Sequence, residues 1–139
     1  QLKKLNFNLD KRQRNFNIHT KFLKKYINYF ILPKQLPGSK SGWLAYPITI
    51  RDNAPFTRTQ MQIFLEKKNI QTRVVFTGNI LRQPGFKNIK MKNDKNGYPE
   101  ADKVMKSGML IACHHGLNNK MINHIHDSID EFISSKIKV

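Results

Sequence analysis

The chain has 139 residues and one cysteine, Cys113. A lone thiol excludes an internal disulfide framework and any four-thiolate metal or cluster site, and it fits a reducing compartment. Acidic residues are also scarce: nine Asp and Glu face 25 Lys and Arg, for a formal charge of +16. No apolar run approaches the roughly 18 residues that a membrane-spanning helix requires. The opening stretch QLKKLNFNLDKRQRNF is basic but lacks the apolar core of a secretory signal. It begins with Gln1 rather than Met, so the chain is expected to be part of something longer. Neither GxGxxG nor GxxxxGK[ST] occurs, which removes the usual signs of a nucleotide-binding loop.

Arginine is the second scarcity. Nineteen of the 25 basic residues are Lys and six are Arg, beside 14 Asn and 15 Ile. Lys, Asn and Ile in joint excess follow from AT-rich codons. Recognition of phosphates and bases favours the planar, bidentate guanidinium of Arg. Most of the charge therefore reads as solvated surface. A free-standing basic α/β module that binds nucleic acid remains the competing reading from composition, without a motif to support it.

What is present is a mixed pattern of helices and strands. Phe16, His19, Leu23, Tyr26, Ile27 and Phe30 recur at helical spacing, predicting one long helix over 10–32 with Asp10 as its N-cap and Pro33 as its stop. A Pro/Gly/Ser loop, 33–42, follows. WLAYPITI (43–50) predicts a strand, and Pro47 requires it to be an edge or to carry a bulge. A helix over 57–68 with Met61, Phe64 and Leu65 inward leads to a second strand, 70–76. Residues 77–98 are irregular, a length that points to a functional loop. A short helix over 99–106, a third strand at 109–113 and a helix over 118–136 complete the chain. The last helix is predicted to bury Met121, Ile122, Ile125, Ile129, Phe132 and Ile133. Strand, helix and strand in close succession predict an open α/β layer.

Two stretches carry candidate chemistry. In FTGNILRQPGF (76–86), Gly78 permits a backbone angle closed to other residues. Asn79, Arg82 and Gln83 put three polar side chains within five positions, and a loop Arg suits a phosphate or carboxylate. The plain reading is a well-made surface loop. In GMLIACHHGL (108–117), Cys113 ends an apolar strand and reads as a buried, inert thiol. His114 and His115 precede a Gly turn, and one of them should reach the surface as an acid, base or phosphate donor; the competing reading is a hydrogen-bonded structural histidine. With His124 and His126 nearby a metal site comes to mind. Adjacent strand residues point to opposite faces, however, and His124 and His126 lie about 200° apart on a helix, so no metal is expected.

The order of the pieces resembles a known segment. RNF (14–16) in a long helix is followed by PGSKSGWLAYPITI (37–50), LEKKNIQTRVVFTGNILRQPGF (65–86) and YPEADKVMKSGMLIACHHGL (98–117). Together they resemble the C-terminal small domain of the DegT/DnrJ/EryC1/StrS sugar aminotransferase family. Within it they are most similar to the nucleotide-sugar 3-dehydrases of the CDP-4-keto-6-deoxyglucose type. TRVVFTGNILRQP is the most specific part. Ala112 and His115 stand where the family commonly has proline, and His114 falls at its histidine position.

The resemblance implies an α/β (α+β) small domain of a fold type I, pyridoxal phosphate-dependent enzyme, with a long N-terminal helix, a small three-stranded sheet and helices packed on it. It implies that residues 1–36 link toward a large domain and that 37–139 form the small domain. It implies a cytoplasmic enzyme of deoxysugar or lipopolysaccharide biosynthesis, without membrane or specific nucleic-acid partners, forming a homodimer through the large domain. The substrate implied is a nucleotide-linked 4-keto-6-deoxyhexose. It would be joined to pyridoxamine phosphate and lose its C3 hydroxyl, the pyridine ring taking up the electrons. Asn79, Arg82 and Gln83 would face the substrate and His114 the cofactor cleft. The principal contacts to pyridoxamine or pyridoxal 5'-phosphate, and any iron–sulfur cluster, would lie outside this chain. A sugar aminotransferase of the same family is the alternative.

Overall fold

The computed structural model describes residues 2–92 and 97–137. Its elements are α1 (Leu5–Leu23), β1 (Phe30–Ile31), β2 (Ala45–Ile50), α2 (Arg58–Lys67), β3 (Arg73–Val74), α3 (Pro99–Ser107), β4 (Gly108–Ala112) and α4 (Asn119–Ile137). Single 3-10 turns flank or join several of them. The strands form one sheet in the order β1-β2-β4-β3, with every neighbouring pair antiparallel. β2 and β3, joined through α2, therefore run in the same direction with β4 inserted between them. The expected α+β class holds, with four strands in place of three.

The extra strand comes from the region read as helix. α1 begins five residues before Asp10, which lies inside it, and ends at Leu23. After a 3-10 turn (Lys24–Tyr26), Phe30 and Ile31 pair with Ile50 and Thr49. Pro33 disfavours a helix immediately before it, and an extended chain puts Phe30 fully inside the core. Arg51 serves the vacated helix end: its Nε–H reaches the Ile27 carbonyl at 2.9 Å and the Phe30 carbonyl at 3.2 Å. Ile27, expected inside, is exposed.

One face of the sheet carries the core. Alternation along β2 turns Tyr46, Ile48 and Ile50 inward, and β4 adds Met109 and Ile111. Phe16 and Leu23 from α1, Met61 and Leu65 from α2, and Ile125, Ile129, Phe132 and Ile133 from α4 close over them. The helix read as a link is thus packed into the same core as the rest. Pro47 lies opposite Leu110, and β1 reaches only Thr49 and Ile50, so one flank of β2 is unpaired at the proline. β3 is shorter than the predicted 70–76, because Ile70 turns into the core and the Thr72 N–H is taken at 2.6 Å by the Glu66 carboxylate. Thr57 and Gln60 form a reciprocal capping box at the start of α2.

Candidate functional site

The loop after β3 owes its shape to two residues in the left-handed region. Phe76 has φ +45° and Gly78 φ +64°. A Cβ on Gly78 would lie 2.2 Å from the Met105 Cβ, so both the angle and the close approach to α3 require glycine. Phe76 is 86 % exposed. A bulky residue that is both exposed and left-handed is uncommon, and such strain clusters at functional positions.

Beyond Gly78, Asn79 is buried and uses both ends of its amide. Its Oδ1 accepts the Leu81 N–H at 3.0 Å, and its Nδ2 donates to Asp102 Oδ1 at 2.7 Å. Arg82 meets the same carboxylate with two parallel bonds, Nε to Oδ1 at 3.0 Å and Nη2 to Oδ2 at 2.8 Å. Gln83 Nε2 donates to the Thr77 carbonyl at 3.0 Å. Hydrogen bonds from Arg82 first, and then Asn79, hold the Asp102 carboxyl down at about 2. These polar groups therefore brace the loop onto α3. Among the described residues Arg82 Nη1 meets no acceptor, on a side chain 61 % exposed. A hollow of about 410 Å³ beside it is lined by Asn79, Arg82, Phe86, Lys87 and Tyr98.

The second stretch leaves β4 at its other end. Cys113 is buried, and burial pushes its thiol up to about 12. His114 is half-buried and its Nδ1 accepts the Gly116 N–H at 3.1 Å, so the neutral ring carries its proton on Nε2. His115 is exposed, with Nδ1 3.5 Å from Arg12 Nη2. Of the two, His114 lines a groove of about 970 Å³ on the open side of the sheet. Phe76, Pro47, Leu110, Trp43 and Met121 share that wall. Met121, expected in the core, is 49 % exposed because α4 turns it toward this groove.

Asn79 and Arg82 do not converge with His114, although Phe76 shares its groove. β3 and β4 are antiparallel, so the loop after β3 sits at the start of β4 and His114 just past its end. The six residue steps from Gly108 to His114, at about 3.4 Å each for extended chain, put roughly 20 Å between the start of β4 and His114. Phe76, on the groove, and Arg82, on the hollow beyond it, belong to one loop and connect the two regions. Among the described residues no three His, Cys, Asp or Glu side chains gather to hold a metal.

The sequence reading missed a buried histidine pair. His19 on α1 and His126 on α4 lie 3.0 Å apart, Nδ1 to Nε2, and His19 Nε2 is 3.1 Å from the Ala112 carbonyl. A carbonyl only accepts, so His19 donates from Nε2 and its Nδ1 must receive the proton of His126 Nε2. Both rings are neutral in this chain of bonds. Burial lowers each to about 4, and for His126 the neighbouring His19 adds to the effect. The Phe22 ring stacks on His126 at 3.8 Å. Nothing local marks two residues 107 positions apart as partners.

The arrangement defines a class first. Among solved structures, an aminotransferase from Psychrobacter cryohalolentis matches 99 % of the chain with a TM-score of 0.85 and 15 % identity; the match spans 37 % of that protein. The Escherichia coli GDP-4-keto-6-deoxy-D-mannose-3-dehydratase, solved with bound hydrated pyridoxal phosphate, matches 92 % with a TM-score of 0.76 and 23 % identity, over 32 % of that protein. The fold is that of one part of such enzymes.

The chain belongs to the DegT/DnrJ/EryC1/StrS aminotransferase family, whose model matches residues 1–130. It is 34 % identical over 104 residues to the dTDP-4-dehydro-2,6-dideoxy-D-glucose 3-dehydratase of Saccharopolyspora spinosa, covering 75 % of the chain and 22 % of that relative. It is 26 % identical over 132 residues to the lipopolysaccharide biosynthesis protein RfbH of Salmonella typhimurium, covering 95 % of the chain and 30 % of that relative. The chain thus spans less than a third of the length of these curated relatives.

Proposed function

We propose that this chain is the C-terminal small domain of a longer pyridoxamine or pyridoxal phosphate-dependent nucleotide-sugar 3-dehydrase, acting on a nucleotide-linked 4-keto-6-deoxyhexose in deoxysugar biosynthesis. The observation that carries the reading is the family match over residues 1–130, with 34 % identity to a 3-dehydratase.

The groove beside His114 does not fit the cofactor by itself. Among the described residues its lining holds neither a lysine to engage the cofactor's aldehyde nor a carboxylate to meet a pyridine nitrogen. The principal cofactor contacts therefore belong to the part of the longer enzyme that this chain does not span, together with the cofactor's capacity to accept electrons. What this chain contributes is a wall. His114 presents an Nε2–H donor to the groove, Phe76 an exposed aromatic face, and Arg82 an Nη1 that meets no acceptor among the described residues at the neighbouring hollow. A substrate with a sugar at one end and a nucleotide at the other is elongated, which suits two contact regions separated along β4. Asn79 and Gln83 support this surface by holding the loop that carries Arg82.

The test is to express the longer gene product, supply pyridoxamine phosphate, and offer nucleotide-linked 4-keto-6-deoxyhexoses. Loss of the C3 oxygen supports the dehydrase. A 4-amino product from an amino donor assigns the aminotransferase alternative. Turnover of neither overturns the reading. The 139-residue chain alone is expected to retain no cofactor through dialysis and to bind nucleic acid weakly and without sequence preference, the latter measured as salt-dependent binding to random and defined DNA.

A further inference from the structure

α1 grips the segment that presents His114. Arg12, Asn15 and His19 are spaced by three and four, so they share one face of the helix. All three reach residues 112–115. His19 Nε2 donates to the Ala112 carbonyl, and the Asn15 Nδ2 donates to the His114 carbonyl at 2.9 Å. The Cys113 thiol lies 3.7 Å from the Arg12 carbonyl, and the Arg12 side chain reaches His115. Asn15 and His19 are both fully buried. Asn15 has its amide orientation set from the other side, because Oδ1 accepts from Arg14 Nη1 at 3.3 Å. His19 has its donor nitrogen set by the Ala112 carbonyl, which can only accept, and His126 Nε2–H then donates to its Nδ1. Each buried polar group therefore has a single productive state, and both end on main-chain carbonyls flanking Cys113.

We propose that Asn15 and His19 are positioning residues for His114, with His126 completing the hydrogen-bond chain at His19 Nδ1. The last backbone bond to the sheet is the Cys113 N–H to the Leu44 carbonyl at 3.3 Å, one residue past the strand end at Ala112. The Asn15 bond extends that hold to His114, and the His19 bond adds to it at Ala112. The His114 carbonyl also accepts the Leu117 N–H at 3.2 Å, which closes the turn but does not tie it to the rest of the fold; Asn15 makes that tie. With the backbone so held, the ring turns to the groove and its Nδ1 meets Gly116. The consequence for catalysis rests on the function proposed above, whereas the placement of the ring can be read without any turnover.

The experiment uses the 139-residue chain labelled with 15N. Long-range proton–nitrogen spectra report which nitrogen of each histidine carries the proton, and the Gly116 amide reports the bond to His114. The variants are Asn15→Leu, His19→Phe and His19→Gln, each with a thermal melt. His19→Gln keeps an amide donor near the Nε2 position. The expected result is that Asn15→Leu and His19→Phe, still folded, lose the single Nε2-protonated state of His114 and shift Gly116, while His19→Gln keeps the parent signals. Parent-like His114 and Gly116 signals in folded Asn15→Leu or His19→Phe would overturn the proposal. If His19→Phe does not fold, Asn15→Leu and His19→Gln decide it by the same signals. Failure of all three to fold would make the residues general scaffold and would equally overturn the specific role.

Discussion

Arg82 and Asp102, twenty positions apart, meet through two parallel hydrogen bonds of 3.0 and 2.8 Å that pin the loop after β3 onto α3. Asn79 joins them from inside the loop, on the same carboxylate oxygen that Arg82 Nε reaches. The arrangement separates two roles by depth. Asn79 is buried and Arg82 is largely exposed. Asn79→Ala strands the Leu81 N–H and one side of Asp102, and should cost about 1–3 kcal/mol in a denaturant melt. Arg82→Ala should cost much less stability, because solvent screens an exposed pair. In the longer enzyme, Arg82→Ala should raise KM for the nucleotide-sugar, lowering kcat/KM by about tenfold to a hundredfold if Nη1 makes a charged hydrogen bond to substrate. Unchanged kinetics would remove Arg82 from substrate binding.

Gly78 is expected to tolerate no side chain. Gly78→Ala places a Cβ against the Met105 backbone as well as its side chain, at φ +64°, so no rotamer change relieves the clash. Left-handed strain and overpacking together should cost about 2–5 kcal/mol, read as a lowered Tm or loss of folding. Gly85→Ala is the control, since a Cβ there meets nothing within 4 Å.

Acid should weaken the fold in a defined window. His19 and His126 fold as neutral rings at about 4, against 6.5 for an ordinary histidine. Their folded values are depressed, so the unfolded chain binds more protons between these limits. Stability from the pair is complete above pH 6.5 and is lost as pH falls toward 4. A shift of that size corresponds to about 3 kcal/mol for one histidine. Desolvation is the main cause for both, with Lys25 opposing and Asp130 favouring a charge on His126. Denaturant melts from pH 7 to 4 should show the decline, and His19→Gln should flatten it. The Asp102 brace responds in a lower window, from its ordinary 3.8 down to about 2, where protonation removes its bonds to Arg82 and Asn79.

Cys113 should be inert while the chain is folded. With the thiol moved from 9 to about 12, the thiolate fraction at pH 8 falls by about a thousandfold. Alkylation followed by mass spectrometry should show little labelling in buffer and rapid labelling in denaturant. Fast native labelling would show that the end of β4 opens.

Local chemistry made much of this molecule readable in advance. The α4 stripe of Ile122, Ile125, Ile129, Phe132 and Ile133 needs only a helical period, and the need for glycine at position 78 follows from the turn that the loop must make. The strands predicted at 43–50 and 109–113 from short apolar runs between turn residues fall at 45–50 and 108–112. The motif resemblance pointed to the family that the match over residues 1–130 then showed.

Periodicity reports which face of a segment is apolar, but not which segment covers it. Phe30 fits both the helical stripe predicted over 10–32 and the short pairing with Ile50, and Pro33 together with the position of β2 made it a strand. Met121 fits the α4 stripe, yet it lies on the groove and is half exposed because α4 turns it that way. The Arg82–Asp102 brace and the His19–His126–Ala112 chain of hydrogen bonds join residues 20 and about 100 positions apart. A polar side chain in a sequence does not reveal its partner, because the partner is chosen when the backbone packs and each buried donor must find an acceptor. The sequence by itself thus determined most of the helices, the two longer strands, the glycine-dependent turn and the family, while tertiary packing decided the short strands, which histidine faces the groove and what holds it there.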